Sequence, residues 1–126
     1  GDSIAIQLET QGHAYYQIEV NPDGKIFDAD RHGRLNQRWK SNATVETERG
    51  ADFWRVVVRI PVVDAEEGAA DPNHHVVGAK PGIDNPWYIN VGRTRVRSSG
   101  KTTWSFPHTG KRSYHVPERF AKMVIE

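Results

Sequence analysis

The feature that most constrains this chain is a period of two. In "SIAIQLE", residues 3 to 9, Ile4, Ile6 and Leu8 alternate with Ser3, Ala5, Gln7 and Glu9. Successive side chains leave a strand on opposite sides, so this alternation describes a β-strand with one buried face. It recurs in "YYQIEV" through Tyr16, Ile18 and Val20, and in "FWRVVVRI", where Trp54, Val56, Val58 and Ile60 oppose Arg55 and Arg59. Between such runs stand turn signals. Asn21-Pro22-Asp23-Gly24 joins two of them, because Pro presets its own φ and Gly accepts a positive one, and residues 15 to 29 read as a hairpin.

Arg49-Gly50-Ala51-Asp52 closes a second hairpin between "ATVETE" and "FWRVVVRI". Ser98-Ser99-Gly100 closes a third between "WYINVGRTRVR" and "TTWSF", and "MVIE" reads as a short closing strand. Residues 64 to 86, rich in Gly, Pro and acidic side chains, read as one long loop. Helix is confined to a single turn in "VPERFAK", with Pro117 at its first position. Trp54, Trp87, Trp104 and Phe106 are expected inside the sandwich or at its sheet edges. The expectation is one all-β domain spanning residues 1 to 126, a two-layer antiparallel β-sandwich.

Composition narrows the function. With 17 Lys and Arg against 16 Asp and Glu, the 126-residue chain carries no general field for nucleic acid or an anionic membrane, and neither is expected as a partner. It has no cysteine, hence no disulfide, thiol nucleophile or thiolate metal site. No apolar run approaches the ~20 residues of a spanning helix.

Catalytic patterns are missing too. There is no G-x-S-x-G, no H-E-x-x-H and no glycine loop to cradle phosphate, and the acidic residues Glu46, Glu48, Asp64, Glu66 and Glu67 show no spacing that marks an acid–base pair. The chain is expected not to be an enzyme. Met123, the one methionine, is assigned to the core rather than to a haem iron. His74-His75 are neighbours whose side chains diverge in extended backbone, so a solvated loop is expected there.

"DADRHG", residues 28 to 33, matches the opening of a calcium loop but puts His32 at the third oxygen position and Trp39 where the bidentate Glu belongs. What remains is a looser structural calcium site using Asp23, Asp28 or Asp30; no other cofactor is expected. Arg93, Arg95 and Arg97 line up on one strand face; a solvated face paired with acidic neighbours is the default expectation, and contact with anions or sugar hydroxyls is the alternative. Tyr114, set between Lys111-Arg112-Ser113 and His115, offers a flat ring with polar neighbours, the kind of surface on which sugars stack.

Taken together, "WYINVGRTRV", "TTWSF" and "SYHVPERFAKMVI" resemble the C-terminal part of family 9 carbohydrate-binding modules, and "DSIAIQLE", "YYQIEVNPDGKIFD" and "FWRVVVRIP" follow the same order upstream. The resemblance implies an immunoglobulin-like β-sandwich, attached to a secreted bacterial glycan-processing enzyme and therefore extracellular or periplasmic. It also implies a polysaccharide or oligosaccharide ligand stacked at Tyr114, with Arg93, Gln17, Asn90 and His115 as polar contacts. Ala5 stands where the family carries an acidic sugar ligand, and Ala121 where it carries glycine. The family's opening strands have no counterpart here, so a partner segment or an oligomeric contact through sheet edges is expected. The companion reading is a ligandless structural or interaction module of a larger secreted enzyme.

Overall fold

The structure is a computed structural model that describes residues 2–11, 13–107, 115 and 117–125. The alternating segments become strands β1 (Ser3–Thr10), β2 (His13–Val20), β3 (Ile26–Asp30), β4 (Thr44–Arg49) and β5 (Trp54–Arg59). Two short strands follow, β6 (Val62–Val63) and β7 (Val76–Val77), separated by helix α1 (Ala65–Ala70). The long β8 (Trp87–Arg97), β9 (Gly100–Phe106) and β10 (Ala121–Met123) complete the set. No helix among the described residues is long and apolar enough to cross a membrane.

The large sheet runs β10-β8-β1-β2-β3, and β9 takes the remainder of the β8 edge that β10 leaves open. All its pairings are antiparallel. β4 and β5 form a separate antiparallel ribbon that supplies the second layer. Its Val45, Val56, Val58 and Ile60 pack on a buried cluster containing Leu8, Tyr16, Ile18, Val20, Trp39, Val76 and Trp87. The protein is thus an all-β sandwich, as the alternation predicts. On the solvent side of the ribbon Arg55 meets Glu48 at 3.2 Å and Arg59 meets Glu46 at 3.3 Å, exposed pairs that contribute little to stability.

The first hairpin turns as its residues require. Gly24 has φ 79°, and Asn21 Oδ1 accepts from the amides of Asp23 and Lys25 at 3.0 Å each.

Two expectations need correction. Residues 64 to 86 are not one loop: Asp64 caps α1 by accepting from the Glu67 amide at 2.9 Å, and β6 and β7 pair in parallel. Gly68 makes this possible, since a Cβ there would collide with the Val77 side chain. The closing strand is Ala121–Met123 rather than 123 to 126, and Met123 does pack against the core. Of the two places expected for Trp104 and Phe106 the structure gives the sheet edge: they lie on β9, 51% and 77% exposed, where the β4–β5 ribbon does not cover them.

Candidate functional site

The face of the large sheet turned away from β4–β5 carries the odd-numbered residues of β1 and β2. Strand register then decides which of them meet. Gln7 lies opposite Gln17 on one side and Asn90 on the other, so three amide side chains form a row across β8, β1 and β2. Neighbouring strands lie about 4.8 Å apart, which sets the spacing of the row. Ala5 and Gly92, opposite each other in the next register position, keep the adjoining surface low.

Each member of the row has a defined environment. Arg31, just past β3, donates from Nη1 to Gln17 Oε1 at 3.2 Å, and its guanidinium lies 5.7 Å from the centroid of the Tyr15 ring. Gln7 Nε2 donates to His115 Nδ1 at 3.0 Å, and the Tyr15 hydroxyl lies 3.4 Å from the same nitrogen. Phe120 meets Tyr15 edge to face, 5.5 Å between centroids. Gln7 and Asn90 are fully buried, yet Gln7 Oε1 has no hydrogen-bond partner among the described residues. A buried acceptor left unmet costs roughly 1–3 kcal/mol, so its retention requires a reason.

Electrostatics on this face are mixed. Burial, reinforced by the positive charge of Arg31 and opposed by Glu19, holds the His115 imidazole below its ordinary value of 6.5. A neutral ring with Nδ1 as acceptor fits the donor that Gln7 presents. Burial pushes the carboxyl of Glu9, on the same strand face as Gln7, above its usual range. Amides, a guanidinium, a phenol and an imidazole together offer paired donors and acceptors, the complement of a ligand dense in hydroxyls.

Of the residues named from sequence, Gln17, Asn90 and His115 come together on this face. Tyr114 lies outside the described residues. Arg93 does not join them: it pairs with Ile4 and Trp104 and points to the opposite face, its guanidinium 5.6 Å from the Trp104 centroid.

The carboxylates proposed for calcium are engaged separately. Asp23 binds Arg49 at 2.6 Å, and Asp28 accepts from the Ser41 amide and hydroxyl at 2.8 and 2.7 Å. Asp30 binds His13 at 2.6 Å. Burial pushes Asp30 up, but the hydrogen bonds from His13 and the His32 amide, with the charges of both rings, hold it below its ordinary value. Among the described residues no group of three or more His, Asp or Glu side chains converges to hold a metal ion.

The His13–Asp30 pair resembles half of a catalytic relay, but the imidazole is stacked on Tyr16 at 4.2 Å and on His32 at 4.5 Å. Tyr16 in turn stacks on Trp39 at 4.8 Å, so the pair terminates an aromatic column rooted in the core.

Gln7, Tyr15 and Arg31 are site members that the sequence reading passed over. Gln7 carried a signal, since it is a long polar side chain at the centre of the clearest alternating strand. Arg31 carried none, because its position depends on the turn after β3. Comparison of the chain with protein-family models, curated proteins and solved structures returned no match.

Proposed function

We propose that the protein is a non-catalytic carbohydrate-binding module that holds a neutral sugar against the outer face of its large sheet. Gln17, His115 and Arg31 serve as the polar contacts, with Asn90 buried behind them in the same row, and Tyr114 supplies the stacking ring. The observation that carries this reading is the amide row, whose partly exposed member Gln17 stands beside the Arg31 guanidinium and the His115 imidazole, over a buried acceptor, Gln7 Oε1, left unmet among the described residues. A sugar hydroxyl is both donor and acceptor, and it satisfies such a set without bringing in charge. An extracellular or periplasmic setting follows from the same reading.

Affinity electrophoresis against plant and algal polysaccharides, followed by calorimetry with the oligosaccharide identified, tests it. Gln17→Ala should weaken binding about tenfold, the value of one or two hydrogen bonds in a desolvated site, with melting behaviour unchanged. Tyr114→Ala should weaken it further. Retention of full affinity by both variants would remove the outer face from consideration. The exposed Val91, Trp104 and Phe106 favour a second reading, an interaction module without a sugar ligand, which a negative polysaccharide panel would support.

A further inference from the structure

The opposite face of the sheet presents a different chemistry. Beyond the edge of the β4–β5 ribbon, β8 places Arg93, Arg95 and Arg97 on one side, at every second residue. They border a groove of about 590 Å³ whose floor includes Ile4 and whose far wall is the β4–β5 turn, with Phe53 and Trp54. That size lies within the range of about 300–1,000 Å³ usual for small-molecule sites. A smaller hollow of about 340 Å³ continues past Arg95 and Arg97 to Lys101 at the β8–β9 turn.

The arginines are not equivalent. Arg97 binds Asp2 at 2.7 Å, and Arg49 on the groove's other wall binds Asp23 at 2.6 Å. Arg93 rests over the Trp104 ring, and Arg95 has no carboxylate partner among the described residues. Arg95 lies two residues and about 6.6 Å along the strand from Arg93, whose charge also acts on Asp2. Asp2 and Asp52 also line the groove, so its charge is mixed, and a ligand that adds flat apolar faces to its carboxylates gains from the aromatic wall as well as from the arginines.

We propose that this groove binds an acidic oligosaccharide, a short uronate chain, whose carboxylates pair with Arg93 and Arg95 while a sugar ring packs against the Phe53–Trp54 wall. Guanidinium and carboxylate match in a bidentate geometry, and the half-exposed aromatic wall accepts the C–H face of a ring. The choice of a sugar over an acidic peptide rests on the function proposed above, but the site is separate from the amide row and has its own residues.

The test is calorimetric titration of the whole chain with tri-galacturonate, its methyl ester, an acidic peptide of glutamates and a short oligothymidylate. Binding is expected for the free acid and not for the ester, which keeps the rings and loses the charges. It should weaken as sodium chloride is raised. Arg95→Gln should bind about tenfold more weakly, and Arg93→Gln similarly, the cost of one charge-assisted pair. Both substitutions are at exposed positions, and circular dichroism confirms that each variant is folded. Gln17→Ala, on the other face, should bind the acid normally.

Equal binding of acid and ester, absence of acid binding, indifference to both arginine variants, or loss of acid binding in Gln17→Ala would each overturn the proposal. Tighter binding of the peptide or the oligothymidylate would do the same by assigning the groove to another class of polyanion. Because neutral glycans and Gln17→Ala report on the outer face, failure here leaves the function proposed above standing, and failure there is seen independently.

Discussion

The two halves of β8 bury opposite sides. From Trp87 to Ile89 the strand buries the side facing β4–β5, with Trp87 in the core and Tyr88 exposed. From Asn90 to Thr94 it is Asn90, Gly92 and Thr94 that are buried, while Val91, Arg93 and Arg95 face solvent. No bulge intervenes, since the register with β1 runs unbroken from Tyr88 to Thr94. Alternation therefore specifies that one side differs from the other, but what lies across the sheet specifies which is buried. At the first half that is the ribbon with its valines; at the second it is the outer face around His115 and Phe120. The apolar half holds the fold together, and the half that buries Asn90 lies beside Gln7 of β1, whose Oε1 is unmet among the described residues.

The largest test of this contrast replaces a tryptophan at each end. Trp39 is fully buried, stacks on Tyr16 and donates from Nε1 to the His75 carbonyl at 3.0 Å. Trp39→Ala should cost about 3–5 kcal/mol in urea unfolding, from lost burial and the cavity it leaves. A loss below 1 kcal/mol would mean that the ribbon, rather than this ring, closes the core.

Trp39 also shows where sequence reading stops. The strands of the first two hairpins were legible because Ile18, Val20, Val56 and Val58 follow a period that only a half-buried strand satisfies. Trp39 follows no period. It enters the core from an irregular segment held by backbone bonds from the Lys40 amide to the Asn73 carbonyl and from the His75 amide to the Lys40 carbonyl. Those bonds join residues more than thirty positions apart. The short α1 stayed hidden because six residues are too few to display a helical period. In the site, Asn90 and Gln17 could be named singly. That they share a row with Gln7, and that Arg93 does not belong with them, is a matter of register, which no single strand contains.

Acid should separate the two faces in two steps. The unfolded chain takes up a proton on His115 near pH 6.5, whereas burial makes the folded chain resist it. Below that pH the unfolded state binds more protons, so stability falls as pH drops from about 6.5 through the lower folded value. Asp30 acts later. Its stabilising pair with His13 is intact above the ordinary aspartate value of 3.8 and is lost as pH falls through the depressed folded one. Melting temperatures from pH 8 to pH 3 should show both declines, and His115→Gln should remove only the first. A first decline that persists in His115→Gln would place its origin elsewhere.

A smaller effect is expected at the centre of the amide row. Gln7→Leu loses the hydrogen bond to His115, worth about 0.5–1.5 kcal/mol, but also removes an unmet buried acceptor that costs about 1–3 kcal/mol. The two nearly cancel, so urea unfolding should change by less than about 1 kcal/mol while affinity for a neutral glycan falls. The outer face would then be a place where stability and polarity are decoupled. If Gln7→Leu instead destabilises by as much as Trp39→Ala, the row is a structural device like the core it backs.

The smallest change is expected at the uncovered end. Trp104→Ala removes a ring that is half exposed and contacts Arg93 through one face. Exposed cation–π contacts are worth about 0.5–1 kcal/mol, and the loss should stay within that range in urea unfolding of the dilute chain. The ring's exposure has a second consequence. Trp104 and Phe106 on the edge strand β9 form an apolar patch with Val91 of β8, so self-association at high concentration should lessen in the variant even though stability barely moves. Sedimentation velocity over a concentration series reads this directly. A stability loss comparable to that of Trp39→Ala, with association unchanged, would show that the β8–β9 end is closed in solution, and the difference between the two halves of β8 would then lie in their side chains alone.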